Sequence, residues 1–114
     1  MMSKQQVGQL IEMDKLKVAE VAVLAKTGAT FKVALIPTKK RGKVWYRCDF
    51  VVESIRYHEK SSGVTSLITY RNETWMMFDL NRAIQHLMKI FPNVEKIEVH
   101  LPRNMGLEKD EAEE

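Results

Sequence analysis

The chain has 114 residues, 45% hydrophobic and 29% charged, which suits one domain around one core and excludes a chain disordered throughout. Its formal net charge is +3, and its single cysteine, Cys48, excludes an intrachain disulfide and a cysteine metal cluster and fits a reducing cytoplasm. No stretch approaches the roughly 20 apolar residues that span a bilayer, and Met1 to Gln6 lack the apolar run of a signal peptide, so the expected location is cytoplasmic, away from membranes.

Ser3, with Gln6 three residues on, forms a capping-box pattern for a short helix whose apolar stripe is Val7, Leu10 and Ile11. Residues 15–26 are ambiguous. Asp14 and Gly28 punctuate them as a helix, whereas Val18, Val21 and Val23 and the turn at 26–29 favour a hairpin, the preferred reading. Phe31, Val33 and Leu35 alternate with Thr30, Lys32 and Ala34 in a strand that Pro37 is expected to end. Lys39 to Lys43 then make a charged turn in which Gly42 can take positive φ.

A long strand is expected over residues 43–59. Val44, Tyr46, Cys48, Phe50 and Val52 point one way, and Lys43, Trp45, Arg47, Asp49 and Glu53 the other. The apolar phase shifts to Ile55 and Tyr57, which implies a bulge or bend after Val52. Ser61-Ser62-Gly63 is a turn. Strands follow over 64–71 and 74–78, joined by a tight turn at Asn72-Glu73. Of Tyr70 and Trp75, near that turn, one belongs in the core. Asp79 can cap a helix whose apolar positions Leu80, Ala83, Ile84, Leu87, Met88 and Phe91 share one face. Pro92-Asn93 stops it, and Ile97, Val99 and Leu101 alternate in a last strand closed by Pro102.

The order implies an α+β fold with a single globular domain over residues 1–104. Its expected form is a curved, mostly antiparallel sheet or partial barrel of about five to six strands. An N-terminal helix and an amphipathic helix near residues 80–91 would pack on it. Residues 105–114 set Lys109 against Glu108, Asp110, Glu111, Glu113 and Glu114 and are expected to form a flexible acidic tail.

Positive charge is concentrated. Residues 27–60 hold 8 basic and 3 acidic side chains, and the densest run is Lys39-Lys40-Arg41-Gly42-Lys43-Val44-Trp45-Tyr46-Arg47. Cations for phosphates and flat rings for bases are what single-strand binding surfaces combine. Lys39, Lys40, Arg41, Lys43 and Arg47 are the candidate phosphate contacts, and Trp45 is the candidate stacking ring. Lys32, Arg56, Arg71, Tyr57 and Tyr70 could join them, depending on strand register. The C-terminal helix carries only Arg82 and Lys89, too few for reading a major groove, so single-stranded DNA or RNA is the expected partner. The plain alternative is a solvated basic turn.

Catalysis has little support. Cys48 falls on the apolar strand face, where a thiol is normally inert core. Asp49, Ser54 and His58 are four or five residues apart on an extended chain, roughly 13–17 Å, too far for a triad. Phosphate loops, nucleophile elbows and paired-acid motifs are lacking. His58, His86 and His100 lie at no metal-ligand spacing, so neither metal nor cofactor is expected. Seven methionines are read as core filler. The expected function is therefore a small non-enzymatic nucleic-acid-binding domain. The alternative is a protein-interaction module, an adaptor, inhibitor or dimeric scaffold, because Trp45 and Arg47 also suit interface anchors. A homodimer through an open sheet edge belongs to the same expectation.

Overall fold

The computed structural model describes residues 3–102; the expected acidic tail lies outside them. The chain opens with helix α1, Lys4–Ile11. Ser3 caps it as the spacing predicts: the Gln6 N–H donates to Ser3 Oγ at 3.2 Å, and the Ser3 N–H donates to Gln6 Oε1 at 2.9 Å. One turn apart, Val7 and Ile11 are buried.

Residues 15–26 do not form the expected hairpin. Strand β1, Lys15–Lys17, passes directly into helix α2, Val18–Lys26. The Lys17 N–H donates to Glu20 Oε1 at 2.8 Å and starts the helix. Gly28, at φ +87, ends it: the Ala29 N–H reaches the Leu24 carbonyl and the Gly28 N–H the Ala25 carbonyl, a Schellman closure. Val21, Leu24 and Ala25 face the core. A few tenths of a kcal/mol of strand preference per valine yield to two caps and a buried face.

Strands β2, Thr30–Lys40, and β3, Lys43–Ser54, form one antiparallel hairpin from Thr30 opposite Glu53 to Lys40 opposite Lys43. Pro37 does not end β2. The Leu35 carbonyl faces β7, Val94–Val99, which pairs with β2 only as far as Leu35. Two residues on, the Pro37 nitrogen faces the side that β7 has vacated, so no ladder bond is lost. β3 also stops at Ser54, earlier than expected. The phase shift marks a tight turn through His58, at φ +55, into strand β4, Glu59–Lys60, which folds back on Glu53 and Ser54.

Beyond β3 lie strands β5, Thr65–Ile68, and β6, Met76–Met77. β5 pairs Ser66 with Asp49, and β6 pairs Met76 with Arg47. They therefore flank the same edge of β3, and the chain between them loops out through a turn closed by the Thr69 N–H on the Glu73 carbonyl at 2.8 Å. Of the two aromatics there, Trp75 packs on the core and Tyr70 is exposed. Asp79 caps helix α3, Leu80–Ile90, accepting the Asn81 and Arg82 N–H groups.

The sheet is open and mixed, with main order β1-β5-β3-β2-β7. The α+β reading holds, but among the described residues seven strands replace five or six, and they close no barrel. β1 is parallel to β5 and β7 is parallel to β2, because each pair is joined by a long connection containing helix, which permits parallel pairing. The three helices of the described residues cover one face. Phe31, Phe50 and Phe91 meet there edge to face at 4.9–6.1 Å within a single hydrophobic core. Among the described residues no helix covers the other face, and none is long and apolar enough to cross a membrane.

Candidate nucleic-acid interface

The bare face of the sheet carries the basic-aromatic run. The alternation expected for β3 holds: Cys48, Phe50 and Val52 are buried under the helices, and Lys43, Trp45, Arg47 and Asp49 are not. Register then fixes the neighbours. Lys40 stands opposite Lys43, Thr38 opposite Trp45, and Ile36 opposite Arg47. Between Lys40 and Lys43 the chain reverses through Arg41 at φ +52 and Gly42 at φ +77. Positive φ at both central residues is the two-residue turn whose twist matches a hairpin, with glycine favoured at the second place.

Five of the six candidates thus gather at one end of the ribbon: Lys40, Lys43, Trp45 and Arg47 on the bare face and Arg41 at the tip. Lys39 does not join them. It pairs with Val44 and has the strand parity of the core-facing residues.

One aromatic was not anticipated. β6 runs antiparallel to β3 with Met77 opposite Tyr46, so the next residue, Phe78, comes up beside Trp45. Their ring centroids are 5.8 Å apart with planes tilted by 55°. Lys43 Nζ lies 5.4 Å from the Phe78 centroid, within reach of a cation–π attraction. Phe78 is 57% exposed, enough for a second flat ring to lie against it. Its place followed from alternation with Trp75 and Met77 in the core, but its neighbour depended on the pairing of β6.

Electrostatics are mixed further along. Arg47 forks onto Asp49, Nε to Oδ1 at 3.5 Å and Nη2 to Oδ2 at 3.3 Å, and the Ser66 hydroxyl donates to Asp49 Oδ1 at 3.2 Å. This pair is close to neutral, which leaves Lys40, Arg41 and Lys43 as the main source of positive potential. Beyond it a trough of about 350 Å³ crosses the sheet, floored by Ala34, Ile36 and Val51 and bordered by Lys32, Lys96 and His100 as well as Asp49 and Glu98. The Thr38 hydroxyl, on the strand opposite Trp45, is covered and lacks a hydrogen-bond partner.

The other candidates are scattered. Tyr70 and Arg71 sit in the turn after β5, the Arg71 Nε–H donating to the Tyr70 hydroxyl at 3.1 Å. Arg56 lies in the turn beyond the far end of β3, a strand that runs roughly 36 Å from Lys43 to Ser54, and Tyr57 packs against the core. The Ser54 hydroxyl is buried and accepts the Tyr57 N–H. Cys48 is buried, and desolvation, then the Asp49 charge, push its thiol far above the usual range. Among the described residues no three His, Cys, Asp or Glu side chains gather as metal ligands would. Compared with family models, curated proteins and solved structures, the chain matches none of them.

Proposed function

We propose that this domain is a non-enzymatic binder of single-stranded DNA or RNA, and that the bare sheet face at the β2–β3 tip holds the strand. The Trp45–Phe78 pair, set on an uncovered face beside Lys40, Lys43 and Arg47, carries this reading. Every base has a π-face, so stacking on such a pair is tolerant of sequence. The three cations at the tip reach the phosphates on either side of the stacked base. Arg47 contributes less, because Asp49 already occupies its fork. Unpaired bases suit this surface better than a duplex, whose faces are stacked away.

The test is a titration of fluorescently labelled single-stranded DNA and RNA over a series of salt concentrations. With about four phosphate contacts, the log–log slope of affinity against salt is expected near −3. Absence of binding at low salt, or a flat response to salt, rejects this function and leaves the exposed aromatic pair as an anchor for a protein partner.

A further inference from the structure

β7 is the last strand on its side of the sheet, and among the described residues only β2 pairs with it. The His100 N–H donates to the Leu35 carbonyl at 3.0 Å. In a parallel ladder alternate residues turn their backbone groups to the same side. Glu98 and His100 therefore face β2, and Ile97 and Val99 direct N–H and C=O at the open edge. Such an edge is a template for a further strand.

The charges on this edge select what pairs with it. Lys96 and Glu98 lie on the bare face, about half exposed and 3.3 Å apart. An antiparallel second copy of β7 must match outward-facing residues with one another, which restricts two-fold registers to those centred on a residue. Centring on Lys96 sets two ammonium groups face to face; centring on Glu98 does the same for two carboxylates. Centring on Ile97 places each Lys96 opposite the partner's Glu98, and each Ile97 exchanges two backbone hydrogen bonds with its counterpart. Opposite charges directly across strands stabilise pairing, and like charges oppose it.

We infer that the chain forms a two-fold homodimer by antiparallel pairing of β7 with β7 of a second copy, centred on Ile97. Ile97 and Val99 are partly buried against the core; on the helix side Ile97 meets its counterpart, which joins the two cores at the axis, and Val99 stands opposite the partner's Glu95. The two-fold axis is perpendicular to the sheet, so both bare faces point the same way. The inference stands whether or not that face binds nucleic acid.

Sedimentation equilibrium of the full chain tests it. The wild-type chain is expected to be dimeric at micromolar concentration. Lys96→Glu and Glu98→Lys each set like charges opposite one another twice per dimer, and each is expected to weaken dimerisation by at least about tenfold. Mixed in equal amounts, the two variants are expected to associate again, because every charge then faces its opposite across the edge. A misfolded variant could not do this. A monomeric wild-type chain, single variants that dimerise as tightly as wild type, or a mixture that stays monomeric would each overturn the proposal.

Discussion

Trp45, on β3, and Phe78, the residue after β6, stand side by side on the bare face of the sheet, ring centroids 5.8 Å apart, although a long excursion of the chain separates them. Neither belongs to the core. Trp45→Ala and Phe78→Ala are each expected to weaken single-strand binding by about 1–3 kcal/mol and to leave the salt dependence unchanged. The double change should cost less than the sum, because each ring supports the other. Anisotropy titrations of the three variants check this. If Trp45→Ala unfolds the domain in a thermal melt, the ring is structural and the proposed platform fails.

Arg41 holds a left-handed backbone conformation, φ +52, that asparagine adopts at lower cost. Arg41→Asn is expected to raise stability by about 0.5 kcal/mol while lowering the salt slope by a little under one. Urea unfolding and the salt titration, run on the same variant, should therefore move in opposite senses. A slope equal to that of wild type would remove Arg41 from the phosphate contacts.

The covered Thr38 hydroxyl makes no hydrogen bond, and a buried unpaired hydroxyl costs about 1–3 kcal/mol. Thr38→Val keeps the branched shape and removes that group. Stability should rise by roughly 1 kcal/mol with little change in single-strand affinity. A loss of stability in urea unfolding would show that the hydroxyl is satisfied in solution.

Cys48 gives stability a pH dependence. Burial and the Asp49 charge raise its pKa in the folded state, whereas in the unfolded chain the thiol ionises near 8.5. Above that pH the unfolded state has lost a proton that the folded state keeps, so this contribution to stability falls as pH rises. Cys48→Ala abolishes it. The stability advantage of wild type over the variant should narrow by about 1.4 kcal/mol between neutral pH and pH 9.5. Paired urea melts that keep a constant gap would contradict a buried, protonated thiol.

Local hydrogen bonding made part of this protein legible from its residues alone. Ser3 with Gln6 and Asp79 with Asn81 and Arg82 start α1 and α3 through bonds spanning two or three residues, and nothing distant is needed to place them. Alternation along β3 separates Trp45, Arg47 and Asp49 from Cys48, Phe50 and Val52, because successive strand side chains point to opposite faces whatever the neighbour. The positive φ of Gly42 in the charged turn was likewise readable from that residue, but the turn is two residues long, Arg41 and Gly42, and not the five of Lys39 to Lys43.

Tertiary structure decided the rest. Residues 15–26 balance between strand and helix in local preference, and the balance tips because Val21, Leu24 and Ala25 bury against the sheet. Pro37 ends a strand only where its nitrogen would need a partner, and that depends on where β7 stops. Lys39 leaves the basic cluster through the pairing of β2 with β3. Phe78 enters the site because β6 returns to the same edge of β3 that β5 left. Capping and alternation act over a few residues and are written in them. Strand register couples segments far apart in the chain, and only packing of the whole core selects it.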